Sequence, residues 1–126
     1  MFELTIDGVV YQFQFGMGFL REVNKMVGRP VDGIPDAKQN IGLQYKVAGI
    51  IDGDLEALVD VLDIANKNQK PRVTRMLLDS YIDNEDTDID RLFADVLDFL
   101  SKTNATKKVT VALMEAAEKE RAKAAQ

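Results

Sequence analysis

The sequence predicts an α+β fold that is mainly α, in which an N-terminal β-hairpin packs on a bundle of about five to six helices. Two observations carry this prediction. Near the N-terminus two runs of alternating apolar and polar residues flank an Asp-Gly pair, whereas later apolar residues recur at helical spacing. A chain of 126 residues, 46% of them hydrophobic, suits one domain, and we expect a single domain over residues 1–126.

The hairpin prediction rests on Asp7 and Gly8, because a type I′ turn needs positive φ at both central residues. This turn sets a register with three apolar pairs on one face: Phe2 with Phe13, Leu4 with Tyr11 and Ile6 with Val9. A lone hairpin is marginally stable, so we expect its apolar face to pack on the first or the last long helix. Its free edge is our candidate for joining subunits by strand addition, with Val10 and Gln12 as candidate self-association residues.

The first helices follow in order. Residues 19–27 are predicted to form a helix that ends at Gly28, and residues 31–38, which include Gly33 and Pro35, are predicted to form a loop. Residues 39–51 carry apolar residues on more than one stripe, which predicts a central helix covered on several sides. The next helix begins at Asp54, and a polar link over residues 66–71 follows it.

Two more helices carry recognisable start signals. Thr74 is a good N-cap, and Val73 can pack on Leu78 as a hydrophobic staple of a short helix that ends near Asp83. After an acidic loop over residues 83–86, Thr87 or Asp88 caps a helix that ends by Asn104. Its apolar stripe comprises Ile89, Leu92, Phe93, Val96, Leu97 and Leu100.

The last predicted helix is charged and covers residues of about 107–126. Thr106 can serve as its cap. Its apolar stripe is weak and comprises Val109, Ala112, Leu113 and Ala116. Beyond Glu115 the chain is almost entirely Ala, Glu, Lys and Arg, so we expect this part of the helix to fray or to project from the body.

Composition excludes several classes of function. The chain has no cysteine and no histidine, so disulfides, thiolate metal sites and His-based nucleophile pairs are all ruled out. A formal charge of -5 argues against nucleic-acid binding. Neither a signal peptide nor a membrane-spanning segment is predicted, so we expect a cytoplasmic protein without a membrane partner. We predict no enzyme activity and no cofactor.

Two charged clusters have competing interpretations. Asp86, Asp88 and Asp90 have the spacing of the first ligands of a calcium loop, but the required glycine and closing carboxylate are missing, which favours solvated capping charge. The basic residues around Pro71 are explained either as a solvated connector or as a docking site for an acidic partner segment. For the second reading, the candidate partner-binding residues are Lys70, Arg72 and Arg75.

Six segments of the chain carry a resemblance to a known family. They are FELTIDG (2–8), FQFGMGFLREVNK (13–25), NIGL (40–43), IDGDLEAL (51–58), QKPRVTR (69–75) and LFADVLDFLSKTNATKK (92–108). Together they resemble tail assembly chaperones of siphophages that infect Gram-positive hosts. The likeness spans nearly the whole chain, although these segments shape a fold and contain no catalytic motif.

The resemblance implies a non-enzymatic role in building a phage tail. Such chaperones bind the tape measure protein, keep it soluble and help to recruit tail tube subunits. They self-associate, associate with a longer product of a programmed frameshift, act in the host cytoplasm and are absent from the mature virion. The alternatives are a structural tail or connector component retained in the virion, an acidic regulatory module that binds an enzyme, and, least favoured, an enzyme that uses Asp54 or Asp60.

Overall fold

The computed structural model describes residues 1–26 and 41–124. These residues form two strands and six helices, in the order β1 (Phe2–Ile6), β2 (Val9–Phe13), α1 (Met17–Lys25), α2 (Ile41–Ile51), α3 (Leu55–Ala65), α4 (Arg75–Asp83), α5 (Ile89–Lys102) and α6 (Lys107–Ala124). The predicted fold class, mainly α with a leading hairpin, is confirmed. Helix α1 ends at Lys25 with Met26 as its C-cap, which is before the end predicted at Gly28. The loop predicted over residues 31–38 and the predicted start of the central helix at residue 39 lie outside the described residues.

The hairpin has the predicted turn and register. Asp7 and Gly8 both have positive φ, 51° and 79°. The strands pair as expected: Phe2 with Phe13, Glu3 with Gln12, Leu4 with Tyr11, Thr5 with Val10 and Ile6 with Val9. One expectation about the apolar face is wrong, since Val9 is 42% exposed. Its cross-strand partner Ile6 is 3% exposed, so only one member of this apolar pair is buried.

Aromatic contacts hold the hairpin on the helices. The ring of Phe2 in β1 lies 5.1 Å from that of Phe99 in α5, edge to face. Phe15, just after β2, makes a similar contact with Phe19 of α1 at 5.2 Å. The apolar face of the hairpin thus contacts α5 through Phe2, while the contact with the first helix is made by Phe15, just beyond the hairpin. Edge-to-face pairs of this kind add to the stabilisation from burial alone.

Helix α2 is central, as its several apolar stripes predict, and it packs against α1, α3, α5 and α6. Its first turn approaches α1 so closely that a Cβ on Gly42 would collide with the carbonyl oxygen of Val23 and the Cα of Asn24. The Asn24 side chain accepts a hydrogen bond from the backbone N–H of Leu43 at 2.9 Å. This bond satisfies one of the unpaired donors at the start of α2.

The helix caps follow the predictions with one exception. Asp54 accepts from the N–H of Glu56, and Thr74 accepts from the N–H of Leu77. Of the two candidates for α5, Asp88 is the cap. Thr106 precedes α6, but its hydroxyl donates to the carbonyl of Leu100 at 2.6 Å. This hydrogen bond therefore connects the start of α6 to the end of α5.

The buried face of α6 differs from the predicted stripe. Ala112 and Ala116 are exposed, whereas Thr110 is fully buried and Met114 is half-buried. The predicted stripe was wrong because it considered only apolar residues, whereas the polar residue Thr110 lies on the buried face of the helix. From Glu118 onward the side chains that the structure describes are exposed, in line with a projecting end. In the described ranges, 1–26 and 41–124, no helix combines the length and the apolar character needed to cross a bilayer.

Candidate protein-interaction surfaces

Arg72 and Arg75, two of the three predicted partner-binding residues, lie close together and pair with acidic residues of α3. The guanidinium of Arg72 lies 2.9 Å from a carboxylate oxygen of Asp63, and that of Arg75 lies 2.9 Å from one of Asp60. Asp60 also receives the ammonium group of Lys46 from α2, at 2.8 Å. These ion pairs join α2, α3 and α4. The charges of Arg72 and Arg75, which the sequence analysis assigned to binding a partner, are thus partly neutralised within the chain.

The environment of Arg75 favours the charged form of its side chain. Burial lowers the pKa of Arg75, but the hydrogen bond and charge of Asp60, together with the charges of Asp63 and Glu56, outweigh burial and raise it. The guanidinium is still 46% exposed, so one side of it faces solvent. A partner carboxylate approaching Arg75 would compete with Asp60 and Asp63.

Lys70 differs from the two arginines. It is exposed, and within the part of the chain that the structure describes its ammonium group has no ion pair or hydrogen bond. It is therefore the residue of the three whose charge is available to a partner without breaking an internal contact.

The polar link contains a buried amide that sequence reasoning missed. Asn66 is fully buried, and its side-chain oxygen accepts from the N–H of Val73 at 2.6 Å and from Arg72 at 3.0 Å. Its side-chain nitrogen donates to the carbonyls of Gln12 and Pro71. Every hydrogen-bonding position of this amide is engaged, as expected for a buried polar group. The amide holds the hairpin, α3 and the link in one arrangement.

The predicted self-association residues lie on the outer edge of the hairpin. Because Ile6 and Val9 flank a two-residue turn as a hydrogen-bonded pair, the backbone groups of Val10 and Gln12 point away from β1. Val10 is 47% exposed. The carbonyl of Gln12, however, already accepts from Asn66. The edge near Val10 is thus open, while α3 covers part of the edge near Gln12.

A groove of apolar residues lies between the end of α2, the middle of α5 and the second half of α6. Its volume is about 230 Å³, and its lining residues are Ile50, Ile51, Phe93, Ala94, Leu97, Met114, Glu118 and Arg121. Phe93, Leu97 and Met114 are only half-buried, so the groove exposes apolar surface to solvent. The groove therefore offers an apolar lining that side chains of another protein can contact.

The α5 stripe contained the signal for this groove. Leu92, Val96 and Leu100 are at most 3% exposed and fill the core. Phe93 and Leu97 lie one position further round the helix, beside the core row rather than inside it. A stripe two rows wide predicts more apolar surface than one neighbouring helix can cover. The sequence prediction treated the stripe as a single buried face and so missed the half-exposed row of Phe93 and Leu97.

A polar cleft lies between the start of α1 and the end of α3. Glu22 and Lys67 face each other there, with 2.8 Å between carboxylate oxygen and ammonium nitrogen. The hydrogen bond from Lys67, and then that from Lys25, hold the pKa of Glu22 below its ordinary value. The pair connects α1 to the link after α3.

These features define a class of protein. A helical body with an apolar groove, charged helix faces and an open strand edge offers contacts for other proteins. Among the described residues, no group of three or more acidic, histidine or cysteine side chains is placed to hold a metal ion.

Comparison with known proteins gives the family. The family model described as phage tail assembly chaperone protein, TAC, matches residues 3–114, and the chain belongs to this family. Neither the curated proteins nor the solved structures gave a match. The resemblance stated from the sequence is thus confirmed. Membership implies a non-enzymatic role with protein partners in tail assembly.

Proposed function

We propose that this chain binds the tape measure protein of a long-tailed phage, keeps it soluble and helps to recruit tail tube subunits during tail morphogenesis. The observation that carries the proposal is the family match over residues 3–114. The half-buried apolar row of Phe93 and Leu97 supports it physically, because a chaperone must offer apolar surface to mask apolar surface on its client.

The proposed mechanism relies on many weak contacts. One groove of about 230 Å³ covers only a short piece of a long helical client, so several copies must bind along it. Neighbouring copies that touch each other raise their effective concentration, and each single contact stays weak enough to be replaced. Tube subunits then displace the chaperone copy by copy.

The proposal also includes association of the chain with itself and with a longer form of the protein. The chain associates with further copies of itself and with a longer, frameshifted form through strand addition at the edge of Val10 and Gln12. The open part of this edge is at Val10, because the carbonyl of Gln12 is already bonded to Asn66. Lys70, Arg72 and Arg75 present positive charge to an acidic segment of a partner, with Lys70 as the readily available cation. The protein acts in the host cytoplasm and leaves before the virion is complete.

Co-expression tests the central part of this function. The tape measure protein is produced with and without the full chain, and the soluble fraction and any complex are measured. We expect a soluble complex only when the chain is present. Unchanged solubility with no recovered complex would contradict the proposal.

Mass spectrometry of purified virions tests the departure of the chaperone. We expect the tape measure and tube proteins, with this chain absent or in traces. Finding the chain at a copy number similar to that of the tube protein would show a structural tail component instead.

Strand addition has its own test. Val10→Pro removes an outward backbone donor, whereas Val10→Thr keeps it and preserves strand propensity. Light scattering of concentrated protein should show lower mass for Val10→Pro alone. Equal mass for both variants and the wild type would exclude the edge at Val10 as the contact.

A further inference from the structure

We propose that the groove between α2, α5 and α6 binds one amphipathic helix whose flanks are basic, and that this helix is a segment of the tape measure client. The inference rests on the proposed function and names the surface and the chemistry of the segment that this surface takes. It concerns a different part of the molecule from Lys70, Arg72 and Arg75.

The shape of the groove suits a single helix. On the α6 wall, Met114, Glu118 and Arg121 follow at intervals of four and three and so form one row. This row is two turns long, about 10 Å. The α5 wall presents Phe93 and Leu97, also one turn apart, with Ala94 between them. These two rows and Ile51 of α2 line one groove, whose walls accept the side chains of an apolar stripe that recurs every three or four residues.

Charge at the rim selects a basic segment. Ala94 lines the groove, and Asp90 and Asp98 stand one turn before and one turn after it on α5, both exposed. Glu118 adds a carboxylate on the α6 wall, where Arg121 is the cation. Asp98 is held by Lys102 at 3.0 Å, but that pair is exposed and screened by solvent. Lysine or arginine beside the apolar stripe of a docked helix would face these carboxylates.

The same charges disfavour a second copy of this chain as the occupant. A two-fold dimer through this face would bring identical surfaces together. A face that carries Asp90, Asp98 and Glu118 would then meet an identical, carboxylate-rich face, which opposes association.

Peptide binding by the full chain tests the inference. Fluorescent peptides of about 20 residues that tile the tape measure protein are titrated with the wild type, Ala94→Lys and Glu118→Lys. Both substitutions are at exposed positions that line the groove. The matched control is Ala116→Lys, an exposed alanine on the opposite side of α6 from Met114. Thermal unfolding verifies that each variant is folded.

We expect the bound peptides to combine a helical apolar stripe with lysine or arginine flanks. Ala94→Lys and Glu118→Lys should lower the affinity for these peptides by about tenfold or more, and Ala116→Lys should lower it by less than about twofold. Equal binding by all variants overturns the groove while leaving the proposed function in place. Binding confined to acidic peptides, or to the full-length client alone, also overturns the inference. A wild type that binds neither peptides nor full-length client overturns the proposed function and this inference with it.

Discussion

The side-chain amide of Asn66, at the end of α3, donates a hydrogen bond of 2.9 Å to the backbone carbonyl of Gln12 in β2. The two residues are 54 positions apart in the chain. This contact joins the outer edge of the hairpin to the helical body. It also satisfies one backbone group on the outer edge of the two-stranded sheet.

Replacing Asn66 should destabilise the whole fold. Asn66→Ala leaves the buried N–H of Val73 and the carbonyl of Gln12 without their partner, which should lower the free energy of unfolding by about 2 kcal/mol or more. Asn68→Ala, in the same link but exposed, is the control and should change it by less than about 0.5 kcal/mol. Urea unfolding measures both. Equal stabilities would show that the amide network contributes little.

Glycine at position 42 is required by the close approach of α1 and α2. Gly42→Ala should cost about 2 kcal/mol or more, because its Cβ would meet backbone atoms of Val23 and Asn24 that cannot rotate away. Gly18→Ala, also helical, meets nothing within 4 Å and should be neutral or stabilise by up to about 1 kcal/mol. Thermal unfolding compares the two. A tolerated Gly42→Ala would contradict the observed approach of α1 and α2.

Two buried threonines of the α5–α6 corner should respond in opposite directions. The hydroxyl of Thr110 has no hydrogen-bond partner among the described residues, so Thr110→Val should raise the free energy of unfolding by about 1 kcal/mol. The hydroxyl of Thr106 donates to Leu100, so Thr106→Val should lower it by about 1 kcal/mol. Denaturant midpoints at equal slope report both effects. A destabilised Thr110→Val would mean that its hydroxyl does have a partner.

The ion pair of Glu22 predicts a pH effect. Since Lys67 is the main cause of the lowered pKa of Glu22, Lys67→Met should raise that pKa toward its ordinary value. Lys25→Met should raise it less. Because the pKa of Glu22 is lower in the folded than in the unfolded protein, the pairing stabilises the fold fully at pH values above the unfolded-state pKa. This contribution is lost as the pH falls through the folded-state pKa. Carboxyl NMR titration measures the midpoint, and an unmoved midpoint in Lys67→Met would refute the pairing.

Local chemistry made much of the fold predictable. Asp7 and Gly8 determine a turn, and the turn determines the register of the strands that flank it. Thr74 and Asp88 mark helix starts through bonds to residues three positions ahead. Such signals depend on neighbours in sequence, which is why they can be read without a structure.

The features that were missed depend on distant residues. Asn66 lies in a polar stretch that reads as solvated, and its burial arises from bonds to Gln12 and Val73 that no local pattern records. Arg72 and Arg75 read as free surface charge because Asp60 and Asp63 precede them by more than two helical turns. The two-row stripe of α5 indicates surplus apolar surface, but the groove itself forms only where α2, α5 and α6 meet.

Photo-cross-linking tests the central claim most directly. A photoreactive amino acid is placed at Ala94 in the groove or at Ala116 on the opposite face, in the full chain co-expressed with the tape measure protein. The account predicts cross-links to the tape measure protein from position 94 and none from position 116. Cross-links from position 116 alone, or none from either position in a complex that co-purifies, would contradict it.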